Sequence, residues 1–387
     1  MVLTLSAFLS LALVGFFHTI LGAALPAIRL SLGMDVARAG VLGSSAWLGF
    51  TAAVFAGGSL SDFFPRQRIL MLACMMIGLG ALFFGMGQAF GLSCLLVGVI
   101  GAGTGMIVSS SSALVMELYP QKTGMIINIH HFFYAIGAIT GPLSMGYVLK
   151  QGWHWQWVYR FGGIGMLLLS GSFLFQRGRS RRERSTLGNR SLFLLLREKN
   201  MVLLILISVF GVGVQSSLYL WLVSFLKEAR SFPIFLAGLG LSLFSLGVAI
   251  GRLLSGTLMA KVKHTRVLFV LLVLLNLILF LFVYAFDDRF VLVLCLLAGL
   301  ACSGLFPGVL ALGGINFPRW VGTTMGILGT AVGIGSSLIS WLISLVSQEA
   351  GLRTGFFVTF LVAFVALTVV GVFYKRLMNS EIRKEGV

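Results

Sequence analysis

Apolar and polar residues in this chain segregate into whole segments. Runs of about twenty mostly apolar residues, the length a helix needs to cross the hydrocarbon core of a bilayer, lie near 4–28, 37–57, 69–88, 91–115, 124–149 and 158–176, and again near 201–226, 234–258, 267–286, 290–313, 323–347 and 355–374. Short polar stretches separate them. The pattern predicts an all-α membrane protein of about twelve spanning helices, with both chain ends on one face. The first run starts at Val2 without a basic segment before it and exceeds the length of a signal-peptide core, so it reads as the first span. The longest polar stretch, residues 177–199, carries eight Lys/Arg and two acids. It divides the chain into an N-terminal six-helix bundle (1–176), a basic linker (177–199) and a C-terminal six-helix bundle with a short tail (200–387).

Composition strengthens this picture. The chain of 387 residues is 58% apolar and only 10% charged, with a mean hydropathy of +1.03. A water-soluble domain of this length has too much surface to cover with so few polar groups. A formal net charge of +17 in a soluble protein would point to nucleic acid. Here the excess is one-sided: with the 177–199 linker placed in the cytoplasm, that side collects 19 Lys/Arg and the opposite side 8. By the positive-inside rule both termini are therefore expected in the cytoplasm, in a plasma (bacterial inner) membrane, with lipid and no nucleic acid as the surrounding partner. The four cysteines, at 74, 94, 295 and 302, lie in apolar runs without metal-ligand spacing, and neither a metal nor a cofactor is expected.

Sliding the sequence along itself by 198 residues aligns Gly15 with Gly213, Gly40 with Gly238, Gly49 with Gly247 and Gly58 with Gly256. Farther on, Gly101 meets Gly299, Pro120 meets Pro318, Gly124 meets Gly322 and Gly137 meets Gly335. Because six spans separate equivalent points, the halves are expected to run parallel, related by an axis along the membrane normal. Such repeats place a substrate site between the halves at mid-depth.

The segment after the second run reads Gly58-Ser-Leu-Ser-Asp62-Phe-Phe-Pro-Arg66-Gln-Arg68. It resembles the signature loop of the major facilitator superfamily, G-x-L-x-D-R-x-G-R-R, with Phe63 and Pro65 in place of the usual Arg and Gly. Gly58 permits close helix approach, Asp62 offers a carboxylate to helix N-termini or Arg partners, and Arg66 and Arg68 stay at the surface. The second copy, Gly251-Arg252-x-x-x-Gly256-Thr-Leu-Met-Ala260, lacks the carboxylate. Gly101-Ala-Gly103-Thr-Gly105, followed by Asn128-Ile-His130-His131-Phe-Phe-Tyr134 and Gly137, is similar to the fucose-permease branch and its sugar-porter relatives. That resemblance implies monosaccharide transport, often with protons. The acidic residue such proteins carry in the fourth span is replaced here by Ile107, Val108 and Ser109.

No acidic residue falls at mid-span, which argues against carboxylate-driven antiport and against a dication as cargo. The deep titratable groups are His18, His130 and His131. An imidazole titrates near neutrality, so His18 and His131 are the candidate proton carriers, whereas His130 faces the Gly137/Gly141 side and suits helix packing. Helical spacing puts Asn128, His131 and Tyr134 on one broad face of the fifth span. Gln215 and Tyr219 align on the seventh, Thr330 and Ser337 on the eleventh, and Trp47 and Ser109 add an aromatic ring and a hydroxyl from the second and fourth. Hydroxyls, amides and aromatic faces together suit a polyol. Arg252, near the end of its helix, is expected to snorkel to the surface. The reading that follows is a monomeric symporter or uniporter for a small polar solute, a sugar or a weak organic acid, working by alternating access. Efflux of amphipathic drugs or lipids, or a non-transporting sensor on the same fold, are the alternatives. Deep carboxylate pairs, His-rich metal spacing and a nucleophile elbow are all lacking, so no enzyme chemistry is expected.

Overall fold

The computed structural model describes the chain except residues 1, 61–64, 88, 120, 122, 175–194, 285–287 and 386–387, and additionally leaves out the side chains of 55–60, 123–125, 128, 288–289, 319, 322 and 383–385. The described residues are helical almost throughout. The first half comprises α1 (Val2–Ser31), α2 (Val36–Leu60), α3 (Arg66–Phe83), α4 (Phe90–Leu118), α5 (Thr123–Lys150) and α6 (Gln156–Leu174). The second half opens with α7 (Lys199–Ala229), which contains two π-helical turns, Ser208–Val212 and Phe225–Ala229. Then come α8 (Ile234–Met259), α9 (His264–Tyr284) and α10, which Gly304 interrupts between Asp288–Ser303 and Leu305–Asn316. A final run, Val321–Val372, contains one non-helical residue, Gly351, with φ 81°. The positive φ suits a residue without a Cβ, and it divides the run into α11 (321–350) and α12 (352–372).

Among the described residues nine helices are long and apolar enough to cross a bilayer. One of these is the run that Gly351 divides, and α2 and α6 complete twelve by length. One expectation changes: a loop was expected between 347 and 355, yet helix continues through Glu349 to the single break at Gly351. The expected tail forms a further helix, α13 (Tyr374–Glu385). It is amphipathic: Leu377 is buried, and so is the Glu381 carboxylate, which accepts hydrogen bonds from the His264 backbone N–H (2.7 Å), the His264 ring Nδ1 (2.8 Å) and Thr265 (N–H 3.2 Å, Oγ1 3.0 Å). The side chain thus caps the start of α9, whose first backbone N–H groups have no intrahelical acceptor.

The repeated glycines turn out to be the contact points of equivalent helix pairs. A Cβ on Gly15 of α1 would overlap the Tyr134 carbonyl of α5, and one on Gly137 of α5 would overlap that of Ala12. The 198-residue equivalents do the same between α7 and α11: Gly213 meets Gly335, and Gly335 meets Val209. Gly49 and Gly101 bring α2 against α4 as Gly247 and Gly299 bring α8 against α10. Without side chains at these points the backbones approach closely, which is how helices gain packing energy in a lipid solvent that offers no hydrophobic drive.

The halves meet through two pseudo-equivalent seams, α2 against α11 and α8 against α5. Gly40 faces Ser340 and Ser344, while its equivalent Gly238 faces Pro142 and Gly146, which are the equivalents of those two serines. Ser44 donates to the Ser337 carbonyl at 2.9 Å, and its equivalent Ser242 donates to the Ile139 carbonyl at 2.9 Å. The two seams thus meet at equivalent positions, although the return bond from Ser337 to the Ser44 carbonyl has no counterpart at Ile139.

Candidate functional site

The centre of the bundle is organised by His18. It lies at the middle of α1, and its Nδ1 is hydrogen-bonded to the Tyr134 hydroxyl of α5. The Trp47 ring of α2 stands edge-on to it at 5.1 Å, and the Tyr219 ring of α7 lies 5.0 Å away. Four helices from both halves thus converge on one imidazole. Tyr219 is backed by Phe244 at 4.9 Å, and Trp47 by Phe50 at 5.4 Å. Gln215 and Ser245 are within interaction range of the Tyr219 hydroxyl. The other ring nitrogen of His18, Nε2, is buried and has no protein partner among the described residues.

Arg252 overturns its sequence reading. It lies seven residues before the end of α8, about 10 Å at 1.5 Å per residue. Its guanidinium does not extend toward that end; it sits over the Tyr134 ring, 5.8 Å from the centroid. Its charge acts on His18, His131, Tyr134 and Tyr219 alike. The sequence signal was its depth, since seven residues exceed what the side chain spans comfortably.

The remaining candidates separate into groups. His131 is half-buried beside this charge, and its ring contacts His130 at 5.7 Å. His130 itself is fully buried between helices, with Nε2 3.3 Å from the Ala7 carbonyl and its ring 5.4 Å from Phe8. Ser109 bonds back to its own helix, at the Gly105 and Met106 carbonyls. Thr330 is half-buried on α11. Ser337 belongs to the seam between the halves, where its hydroxyl donates to the Ser44 carbonyl at 3.3 Å. The side chain of Asn128, and Asp62 of the signature loop, lie outside the described residues. Of that loop, Arg66 pairs with Glu117 at the end of α4 at 2.9 Å, and Arg68 is exposed. In the second copy Gly251 packs closely on Ser303 and Leu300 of α10, whereas a Cβ on Gly256 would meet nothing. An apolar groove of about 440 Å³ between α1 and α6, lined by Leu9, Leu13 and Leu168, lies apart from this chemistry.

Contacts between the halves are distributed unevenly along the bundle. Toward the end away from the termini, Arg29 pairs with Glu228 at 2.8 Å and Gln348 accepts from the Val36 backbone at 3.1 Å. Both serine seams and the approach of Gly22 to Tyr219 and Leu220 lie on that side or at mid-bundle. At the termini end Thr4–Tyr119, Arg66–Glu117, Asn200–Asn316 and Arg376–Asn200 each join residues of one half. The His18 cluster sits where the closed region ends.

Two six-helix halves related by a repeat, closed at one end around a polar centre, define the secondary-transporter architecture. The family model of the Major Facilitator Superfamily matches residues 7–340, and the chain belongs to that superfamily. Among solved structures it is similar to a D-xylose–proton symporter (TM-score 0.81, 16% identity, 96% of each chain). It is likewise similar to a mutant form of the nucleoside transporter NupG (0.80, 15%, 97% of this chain and 98% of that one). Among curated relatives, an uncharacterized MFS-type transporter of Mycobacterium tuberculosis is 28% identical over 37% of this chain and 20% of its own length. A probable 4-methylmuconolactone transporter of Cupriavidus pinatubonensis is 26% identical over 53% of this chain and 50% of its own length. The chain thus spans half or less of the length of these relatives.

Proposed function

We propose that the chain carries a small polar solute, a sugar or a weak organic acid, across the membrane by alternating access, with the cluster around His18 as the cargo site. The observation that carries this reading is the convergence of His18, Trp47, Tyr134 and Tyr219, drawn from both halves, on one half-buried centre. A ligand held by residues of both halves senses their relative position, and a ligand shifts an equilibrium only through such differential contacts. Aromatic faces with a phenol, an imidazole and an amide suit a solute with one apolar face and several hydrogen-bonding groups. The 19-to-8 charge asymmetry supports placing the termini in the cytoplasm, so that the closed end faces outward. His18 and His131 are the proposed proton carriers, because no carboxylate occurs at their depth.

Purified protein in proteoliposomes tests this reading. Counterflow of a labelled sugar or organic acid is expected, and is expected to fall at least tenfold in Trp47→Ala and Tyr219→Ala. Inhibition by lipophilic cations with no competition from sugars or organic acids would favour efflux of amphipathic compounds instead. No exchange of any solute would favour a sensor.

A further inference from the structure

A bare guanidinium at mid-depth is costly in a membrane protein, and such groups mark ligand or ion pathways by default. The ordinary remedy is a neighbouring carboxylate. Three of the described acids near helix ends are engaged elsewhere: Glu228 with Arg29, Glu117 with Arg66, and Glu381 with His264. None of the eleven Asp/Glu falls at mid-span. Among the described residues the Arg252 guanidinium has only the face of Tyr134.

A second polar atom without a partner lies on His18, whose ring also contacts Tyr134. His18 Nε2 is buried without a partner among the described residues, and in the neutral tautomer that takes the Tyr134 Oη–H at Nδ1 it carries the ring hydrogen. A cation without an anion and a buried ring nitrogen without a partner thus both lie against Tyr134, the guanidinium 5.8 Å and the imidazole 6.0 Å from its ring centroid. One group meets both needs: a carboxylate, which is acceptor-only and pairs with a guanidinium through two oxygens.

We propose that the central site selects small organic monoanions, with Arg252 binding the carboxylate, His18 Nε2–H adding a hydrogen bond, and Trp47 and Tyr219 enclosing the body of the molecule. One guanidinium without a second cation sets the number of carboxylates at one. This proposal rests on the reading of the His18 cluster as the cargo site, and of that reading's two solute classes it chooses the acid.

The test uses the full chain in lipid nanodiscs and matched probes: benzoate with benzamide, lactate with lactamide, and gluconate with glucose. Binding is followed by calorimetry and thermal shift. At least one carboxylate is expected to bind, about 10- to 100-fold more tightly than its neutral partner. Arg252→Gln should remove that advantage, and Arg252→Lys should keep part of it because charge remains without the planar fork. Equal binding of acid and neutral partner, carboxylate affinity indifferent to Arg252→Gln, or no carboxylate binding at all would each overturn the proposal. The cargo-site reading is judged separately. If the neutral partner binds as tightly as its acid, and both are lost in Trp47→Ala but not in Arg252→Gln, the anion proposal fails and the cargo site stands. If carboxylates bind through Arg252 yet neither Trp47→Ala nor Tyr219→Ala affects them, and none is exchanged in proteoliposomes, the cargo-site reading fails. The melting temperature of each unliganded variant shows whether the fold is intact.

Discussion

Gly22 lies one turn beyond His18 on α1 and faces α7 of the other half. A Cβ there would overlap the Tyr219 carbonyl oxygen and come within 2.9 Å of the Leu220 Cα and carbonyl oxygen. All three are backbone atoms, so no rotamer change relieves the clash; α1 and α7 must separate. Overpacking of this kind costs about 1–3 kcal/mol. In Gly22→Ala the cost falls on the state in which the halves meet at this end, and vanishes once they part. With a factor of ten for each 1.4 kcal/mol, the ratio of closed to open molecules should fall by about 5- to 150-fold. Spin labels at Leu30 and Glu349, both exposed and at the closed end, would read the change as growth of a longer-distance population. Gly15→Ala is the control. Its Cβ clashes with the Tyr134 carbonyl and the Ala138 nitrogen, both within the same half, so it should lower the melting temperature and leave the distance distribution unmoved. The reasoning is refuted if Gly22→Ala behaves like that control, losing stability while keeping the wild-type distances.

Three further outcomes are expected. Burial raises the Glu381 carboxyl pKa, but the hydrogen bonds from His264 and Thr265 outweigh it and hold the pKa below its ordinary value. The carboxylate therefore contributes stability above the unfolded-state value of about 4.3, and the contribution disappears as pH falls through the folded value. Glu381→Gln should cost about 1.5–3 kcal/mol at neutral pH and flatten the acid side of a melting-temperature profile. Single cysteines at Ser185 and Asn379, in a background without native cysteine, should resist impermeant thiol reagents in intact cells while Gln151 and Ser231 react; the reverse pattern inverts the proposed orientation. His18→Gln and His131→Gln should abolish pH-driven accumulation and spare exchange, whereas His130→Gln, buried against Ala7 and Phe8, should lower stability. Intact pH-driven accumulation in the His18/His131 double variant would remove histidine from the coupling.

Span number and the repeat were legible because both are written in local composition and in a fixed offset. Contacts were less so. Gly15 and Gly137 stood out as repeat matches, but that they meet each other's helices is a fact of tertiary packing across α1 and α5. Ser337 read as polar lining, and folds into the seam because it and Ser44 each reach the backbone of the other helix. The end of the chain read as a tail because it is charged, while the feature that orders it is one buried carboxylate capping α9. Arg252 was misplaced because snorkelling treats a helix as alone in lipid; the Tyr134 ring across the centre gives the guanidinium an inward partner.

The repeat also shows why the site is harder to read than the scaffold. Gly15/Gly137 and Gly213/Gly335, Gly49/Gly101 and Gly247/Gly299, and the seams of Ser44 and Ser242 are pairs in which equivalent residues make equivalent contacts. The same offset carries His18 to Ser216, Trp47 to Ser245, Tyr134 to Val332 and His131 to Gly329. In the other direction it carries Tyr219 to Leu21 and Arg252 to Val54. Two halves that must rock against each other need matching crossings and matching seams, so that either end can close on the same geometry. A solute has no such symmetry. Its charge, its donors and its apolar face differ from side to side, and a site that grips it from both halves must offer a different group from each. The cationic and imidazole side chains near the axis therefore belong where the repeat fails, and His18, His131 and Arg252 are three such failures, both imidazoles brought within electrostatic reach of the one guanidinium.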